Sequence, residues 1–275
     1  GGVAAAFKAP IAGVFFALEV ILNGSFGARS ISAVVICAVM SSAATSALEP
    51  GVEMGPFNYQ LGGPLELWLF LPLGLAVALI AAVYVRSVYW QHDLWDRYVT
   101  VPRPVRTALA GFLVGSMGIF LPQILGIGRE TMNLVLEGAA NYGVGFLILL
   151  CAAKILSNVI SLAGGFVGGV FAPALFAGTM LGSAYGQIVD RIFGVHVGDP
   201  QAYAIAGMAG MLAGVLRAPI TAIMMVFELT NDYRLILPIM LTTVVGVVVA
   251  DRYEKYGIYS LGLARQGVKL QPGRE

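Results

Sequence analysis

Two stretches far apart in the chain are copies of one pattern. Residues 7–20 are FKAPIAGVFFALEV and residues 216–229 are LRAPITAIMMVFEL, and the two align without a gap. Both have a basic residue followed by Ala-Pro-Ile, and a glutamate, Glu19 or Glu228, lies eight positions after the isoleucine. The copies are too far apart for a solenoid repeat, so the pattern predicts a duplicated half-domain. A chance match within apolar sequence is the alternative.

The composition indicates which solvent the two halves face. Hydrophobic residues make up 58% of the 275 residues and charged residues 11%, against about 25% charged in an ordinary soluble domain. Polar side chains are too few to cover a water-facing surface, so most of the surface is expected to face lipid. Related halves with apolar segments interrupted by Pro and Gly are typical of transporters whose binding site lies between the repeats.

Several other classes of function have little support in the sequence. The net charge of +1 gives no footprint for a polyanion, so a nucleic-acid partner is not expected. Cys37 and Cys151 lie in apolar segments with no His or second Cys at ligand spacing, so neither a disulfide nor a metal or cofactor is expected. A membrane-embedded enzyme would need a catalytic cluster, but His92 and His196 both lie in predicted loops.

Charge-free runs predict the membrane helices. The runs long enough to cross a hydrocarbon core of about 30 Å are residues 30–48, 67–85 and 107–127, and the shorter ones, which suit tilted or partial spans, are residues 138–153 and 235–250. Residues 155–189 exceed one span and are expected to break at a cluster of glycines before Pro173. The two repeat copies predict half-spanning helices. Broken backbone at membrane depth needs protein or a water-filled cavity around it, so these breaks indicate an internal site.

The loop charges predict the orientation. The segment after the span at residues 67–85 is rich in arginine, whereas residues 49–66 contain glutamates and no Lys or Arg. The positive-inside rule therefore places the first loop in the cytoplasm and the second outside. The basic tail predicts a cytoplasmic C-terminus. The basic residues concerned are Arg86, Arg97, Arg103 and Arg106 in the loop, and Arg252, Lys255, Arg265, Lys269 and Arg274 in the tail.

The strongest chemical motif is the glycine-rich segment GGFVGGVFAP at residues 164–173. Pro173 suits the first turn of a helix, which would leave the amides of Val170 and Phe171 pointing out of the helix N-terminus. Such an end has unpaired donors and a partial charge of about +0.5, enough to hold a small anion. A full cation would bind the anion too tightly for fast passage. The alternative is a packing motif of small residues.

Three segments resemble the CLC family of chloride channels and proton/chloride antiporters. They are GVFAP at residues 169–173, the segment from AIAGMAG to LILPIM at residues 204–240, and YSLGLAR at residues 259–265. Residues 7–20 also resemble the end of the family's N-terminal half. The resemblance covers nearly the whole chain. It implies an all-α polytopic membrane protein with an inverted-repeat fold of broken and half-spanning helices, assembled as a homodimer with one anion pathway per subunit.

The resemblance also implies which residues bind the anion. It places the ion against the amides of Val170 and Phe171 and the hydroxyl of Tyr259. Without the resemblance, Tyr259 would be expected to be an interfacial anchor. The candidate anion-binding residues are Gly169, Val170, Phe171, Ala172, Pro173 and Tyr259.

The sequence departs from the family pattern in two ways. The loop with the anion-binding serine and the GxExP loop with the gating glutamate are expected before Gly1, which would make the chain about two thirds of a CLC-type subunit. Antiporters typically have a proton-transfer glutamate at the position of Val20, and valine cannot carry a proton. The candidates for a proton pathway are therefore Glu19 and Val20. For Glu19 and Glu228 we favour a structural role with hydrogen-bonded carboxylates, although intramembrane acids are also candidates for function.

Lys154 lies between two apolar runs. It either lines a vestibule or extends toward a membrane interface, and we favour the interface.

These observations predict transport of chloride or a similar small anion, channel-like or weakly coupled to protons. The first alternative is proton/chloride antiport by another proton route, and the second is a membrane-embedded enzyme. Residues 1–50 are expected to end the N-terminal half-repeat, residues 51–250 to form the C-terminal half of the transmembrane domain, and residues 251–275 to form a final helix and tail. The expected location is the inner membrane of a prokaryotic cell.

Overall fold

The computed structural model describes residues 1–22, 28–48, 63–98, 102–194, 198–254 and 257–265. The regular structure of these residues is all helical, which confirms the predicted class. The α-helices are α1 (Gly2–Phe7), α2 (Pro10–Phe16), α3 (Ala28–Leu48), α4 (Phe70–Tyr98), α5 (Arg103–Phe120), α6 (Arg129–Leu136), α7 (Val144–Ala163), α8 (Phe171–Phe193), α9 (Pro200–Leu216), α10 (Pro219–Thr230), α11 (Ile236–Tyr253) and α12 (Ile258–Arg265). Predictions that involve residues 49–62, His196, Lys255, Lys269 and Arg274 lie outside the described residues.

Within the described part of the chain, four helical segments are long and apolar enough to cross a membrane. They are Ile31–Leu48, Glu66–Trp95, Val144–Ala163 and Tyr233–Gly262, the last of which includes two residues, 255 and 256, outside the described chain. Three further apolar segments, Pro10–Ile21, Pro200–Leu216 and Pro219–Thr230, are shorter. The two repeat copies are among these short segments, in agreement with the half-length helices that the sequence predicts.

Two predicted helix ends are wrong. The span predicted to end at residue 85 continues in α4 to Tyr98, so Arg86 and His92 lie on a helix rather than in a loop. Arginine and aromatic residues are compatible with a helix, and residues 86–98 contain no Pro or Gly to end it. The span predicted at residues 107–127 ends at Phe120, because Pro122 begins a short 3₁₀ turn, Pro122–Ile124.

The two runs predicted on either side of Lys154 form one helix. α7 continues from Val144 through Lys154 to Ala163, and the predicted break follows it, before α8 begins at Phe171. One charged side chain does not interrupt a helix when the charge is satisfied inside the protein, whereas a cluster of glycines does. The predicted position of the break is therefore confirmed, and the predicted start of the preceding helix is corrected.

Lys154 is buried, with 3% of its surface exposed. Its ammonium group donates to the carbonyl oxygens of Ile124 and Gly126, at 2.6 and 2.7 Å, and lies 5.1 Å from the centroid of the Phe176 ring. The prediction that Lys154 extends toward a membrane interface is wrong. The turn after α5 leaves carbonyl groups without helical partners, and these accept from the lysine inside the protein.

The centre of the fold is the close contact between α8 and α9. A β-carbon at Gly182 would lie 2.2 Å from the Tyr203 carbonyl oxygen, and one at Gly178 would lie 2.4 Å from the Gly207 carbonyl oxygen. Glycine at these positions lets the two backbones touch, as small residues do between membrane helices. Residues 202–216 of α9 are all buried. This core fixes the position of the α8 N-terminus.

The two repeat copies begin with the same backbone conformation, although the first continues after Phe16 as a π-helix, Ala17–Ile21, and the second as an α-helix. Lys8 and Arg217 both adopt the left-handed region, with φ of 52° and 59°. The following alanines are also alike, with φ and ψ of −118° and 81° at Ala9 and −131° and 78° at Ala218. In each copy a proline then begins the helix, where its missing N–H is not needed. The duplication in sequence is therefore also a duplication in structure.

Glu228, at the end of the second copy, binds the start of the first. Its Oε1 accepts from the Ile11 amide at 2.9 Å and its Oε2 accepts from the Ala12 amide at 2.7 Å. Both amides lie in the first turn of α2, where no acceptor exists within the helix. A carboxylate is also favoured at this end by the helix dipole.

Glu19, at the end of the first copy, binds the start of the second in the same way. Its Oε1 accepts from the Ile220 amide at 3.0 Å, and its Oε2 accepts from the Thr221 amide at 2.6 Å and from the Thr221 hydroxyl at 2.5 Å. Each copy therefore caps the helix N-terminus of the other.

Replacing either carboxylate should destabilise the protein. In Glu228→Gln or Glu19→Gln, one of the two acceptors becomes an amide NH₂ that faces a backbone N–H. We expect each change to lower the free energy of unfolding by about 1.5–3 kcal/mol, the value of a hydrogen bond to a charged group. Chemical denaturation of the full-length protein in detergent measures this. Glu137→Gln, at an exposed glutamate, is the control, and variants as stable as this control would contradict the prediction.

Candidate anion-binding site

The loop between α7 and α8 begins with two contacts from α5. Arg106 Nε donates to the Ala163 carbonyl at 2.8 Å, and the Thr107 hydroxyl donates to the Gly164 carbonyl at 2.9 Å. These bonds satisfy carbonyl groups at the C-terminus of α7 that have no partner within the helix. The start of the loop is therefore fixed to α5.

The four glycines of the motif have different roles. A β-carbon at Gly164 would lie 2.2 Å from the β-carbon of Ala110, and Gly165 has a φ of 92°, so both positions favour glycine for packing or conformation. In contrast, a β-carbon at Gly168 or Gly169 would meet no heavy atom nearer than 4.0 Å. The small-residue packing alternative thus describes the first pair, and the second pair borders open space.

That space is a cavity of about 290 Å³ between the loop and α12. The residues around it are Val88, Tyr89, Leu162, Ala163, Gly168, Gly169, Val170, Ile258 and Tyr259. None of these described lining residues is charged. The cavity brings Gly169 and Val170 together with Tyr259, as the predicted site requires. Phe171, Ala172 and Pro173 form the first turn of α8 and are not among the described residues that line it.

The N-terminus of α8 gives the cavity its electrostatic character. Val170 is the N-cap residue, and its carbonyl accepts from the Ala174 amide at 3.0 Å, which begins the helix. The amides at this end have no acceptor within the helix. Since α8 is 23 residues long, the positive end of its helix dipole, equivalent to about +0.5 charge, lies here. Donors and partial positive charge are thus present without a cationic side chain among the described lining residues.

Aromatic side chains join the loop to the first repeat copy and to α12. The Phe171 ring lies 5.0 Å from Phe7 and 5.9 Å from Phe16, measured between centroids, and Phe16 lies 6.3 Å from Tyr259. The Tyr259 hydroxyl makes no hydrogen bond to another described residue. Tyr89 donates its hydroxyl to the Ile258 carbonyl, which holds the start of α12.

Tyr89, Phe7 and Phe16 are neighbours of the site that the sequence did not predict. For Phe16 a signal was available, since it lies in the repeat copy three positions before Glu19. Nothing in the sequence around Tyr89 indicates its contact with α12, which is a long-range contact.

The two proton-pathway candidates lie apart from the cavity lining. Val20 is partly buried and packs against the hydrophobic core. Glu19 has its carboxylate in hydrogen bonds to α10. Neither residue is among the described residues that line the cavity.

An all-helical fold with apolar spans and two matching half-length helices is typical of the inverted-repeat class of membrane folds. The profile of the voltage-gated chloride channel family matches residues 1–251. The chain belongs to this family, which confirms the resemblance.

The chain is similar to several curated bacterial proteins. One is the H(+)/Cl(-) exchange transporter ClcA of Vibrio parahaemolyticus, 33% identical over 274 residues, which cover 96% of this chain and 57% of that protein. Another is the protein of the same name from Citrobacter koseri, 33% identical over 273 residues, which cover 96% of this chain and 56% of that protein. The chain therefore spans a little more than half the length of these relatives.

Solved structures have the same helix arrangement. A slow cyanobacterial Cl⁻/H⁺ antiporter matches with a TM-score of 0.82 and 28% identity, over 96% of this chain and 62% of that one. A eukaryotic CLC transporter matches with a TM-score of 0.73 and 24% identity, over 96% of this chain and 45% of that one, and supports the fold alone.

The predicted site can be located with a heavier halide. In crystals of the full-length protein soaked in bromide, we expect anomalous density within hydrogen-bond distance of the Val170 and Phe171 amides and of the Tyr259 hydroxyl. Val170 and Tyr259 line a cavity with no charged lining residue in the described chain, and Phe171 follows Val170 in the first turn of α8. A soak in a salt without heavy halide is the control. Bromide density elsewhere in the subunit, with none in this cavity, would contradict the assignment.

Proposed function

We propose that the full-length protein moves chloride or a similar small anion across the membrane through the cavity beside α8. The observation that supports this is that Gly168, Gly169, Val170 at the α8 N-cap, and Tyr259 line one cavity whose described lining has no charged side chain. Family membership of residues 1–251 supports the same activity.

In this proposal the backbone binds the anion and the tyrosine assists. The amides of Val170 and Phe171 donate to the ion within a segment formed by residues 169–173. Helix-end dipoles hold an anion by partial charge, and the Tyr259 hydroxyl adds one neutral hydrogen bond, worth about 0.5–1.5 kcal/mol. A site with no full positive charge can release the ion as well as bind it.

We further propose that this anion movement is not coupled to protons at a fixed ratio. Val20 stands where the family resemblance expects the proton-transfer glutamate, and its side chain cannot bind a proton. The adjacent acid, Glu19, accepts three hydrogen bonds from Ile220 and Thr221. A proton on Glu19 would weaken these bonds, so its carboxylate is better suited to joining the repeats than to carrying protons.

Proton/chloride antiport by another route is the second candidate. The curated relatives are named as H⁺/Cl⁻ exchange transporters, and the similar cyanobacterial structure is described as a Cl⁻/H⁺ antiporter. This mechanism would need a proton path that avoids Val20, through Glu19 or a chain of water molecules.

The remaining features of the proposal follow from the family and the charge pattern. We propose a homodimer in the inner membrane of a bacterial cell, with the C-terminus in the cytoplasm, and a role in transport rather than catalysis. Bacterial relatives and the apolar spans support the location. The basic residues after Asp251 support the orientation.

Transport in liposomes distinguishes the two candidates. With the full-length protein reconstituted and a chloride gradient imposed, we expect chloride flux that runs to equilibrium without a change in internal pH, because Val20 cannot carry protons. Liposomes without protein are the control. Uphill proton movement in a fixed ratio to chloride would contradict the uncoupled mechanism and support antiport, and the absence of any chloride flux would contradict both.

A further inference from the structure

The peptide group between Gly169 and Val170 has its two polar atoms on opposite sides. In a trans peptide the C=O and N–H bonds point in opposite directions within one plane. The carbonyl of this peptide, from Gly169, accepts from Asn158 Nδ2 at 3.2 Å. The N–H of the same peptide belongs to Val170, which lines the cavity. A contact that fixes the carbonyl therefore also fixes the direction of the Val170 N–H.

The orientation of the Asn158 side chain is itself fixed by α4. The hydroxyl of Tyr84, a fully buried residue of α4, donates to Asn158 Oδ1 at 2.6 Å. The Gly169 carbonyl can only accept a hydrogen bond, so Asn158 must present its NH₂ to it and its oxygen to Tyr84. A flipped amide would place two acceptors against each other. The three groups thus have one consistent arrangement.

The loop needs such a restraint at this point. Gly168 and Gly169 have no side chains, and a β-carbon at either would meet nothing nearer than 4.0 Å, so packing does not fix the backbone. Glycine is also free to adopt a wide range of dihedrals. Within the described chain, the Asn158 bond is the one hydrogen bond made to the carbonyl groups of Gly168 and Gly169. The contacts from α5 lie earlier in the loop, at Ala163 and Gly164.

We propose that Asn158, oriented by Tyr84, is a positioning residue that directs the Val170 amide toward the bound anion and thereby sets the affinity of the cavity for it. This inference rests on the proposed function. Neither Asn158 nor Tyr84 is among the described lining residues, so both act through the Gly169–Val170 peptide. Asn158 and Tyr84 are both uncharged, so they orient the Val170 N–H without adding a cation to the pathway.

The first test compares two hydrogen bonds to the same loop. Asn158→Leu removes the bond to the Gly169 carbonyl, and Thr107→Val removes the bond to the Gly164 carbonyl, whose peptide does not carry the Val170 N–H. Titration calorimetry with chloride on the full-length protein should give a dissociation constant raised about two- to tenfold for Asn158→Leu, the range for one neutral hydrogen bond. For Thr107→Val we expect lower thermal stability and an unchanged dissociation constant. Equal dissociation constants for wild type and Asn158→Leu would overturn the proposal, as would an equal rise in both variants.

The second test asks whether Tyr84 acts through Asn158. Tyr84→Phe removes only the hydroxyl, so it should raise the chloride dissociation constant less than Asn158→Leu does. In a double-mutant cycle, Tyr84→Phe should have no further effect when Asn158 is already leucine, because residues in one hydrogen-bond chain are not additive. Additive effects of the two substitutions on the chloride dissociation constant would overturn the proposal that Tyr84 acts through Asn158. Tyr84→Phe also decides the question if Asn158→Leu does not fold, since an unchanged dissociation constant in Tyr84→Phe would then count against the proposal.

The wild-type measurement separates this inference from the proposed function. Wild-type protein that binds no chloride would contradict the anion site itself. Wild-type protein that binds chloride, together with an Asn158→Leu variant of equal affinity, would contradict only the positioning role.

Discussion

In each repeat copy a glutamate carboxylate binds the helix start of the other copy, and this pairing helps to position the other parts of the site. A helix that begins inside a membrane protein has amides without acceptors, and here Glu228 and Glu19 each supply acceptors to the helix of the other copy. The paired starts fix α2 and α10 relative to each other. From α2, Phe16 contacts the rings of Phe171 and Tyr259, so the first copy helps to place both sides of the cavity.

The second copy also contacts the end of α11. Arg217, which precedes the helix start of α10, pairs with Asp251 at 2.8 Å and donates to the Glu254 carbonyl at 2.7 Å. Both partners lie at the end of α11, close in sequence to Tyr259 on α12. Arg217, which adopts the left-handed backbone conformation just before α10, thus joins the second copy to the end of α11. The rings of Phe171 and Tyr259 both contact Phe16 on α2, and the start of α2 is in turn held by Glu228 of the second copy.

Local signals in the sequence were sufficient for part of this structure. Proline and glycine act on their own neighbours, so the helix starts at Pro10 and Pro219 and the break before Phe171 could be predicted. Contacts between helices that are distant in sequence could not be predicted in this way. Lys154 finds its acceptors at Ile124 and Gly126, and Asn158 finds its donor on α4, and neither pairing has a signal in the nearby residues. The predicted loop after residue 85 was wrong for a different reason, because residues 86–98 contain no Pro or Gly and their local sequence is compatible with a helix.

The central feature of the proposed function is binding of the anion by backbone amides at the start of α8 rather than by a cationic side chain. It is tested most directly by replacing Phe171 with its α-hydroxy acid in the full-length protein, which exchanges one N–H for an oxygen and keeps the side chain. Protein with phenylalanine inserted by the same method is the control. Because a hydrogen bond to a charged group contributes about 1.5–3 kcal/mol, we expect the chloride dissociation constant to rise roughly tenfold or more. An unchanged dissociation constant would contradict binding by this amide.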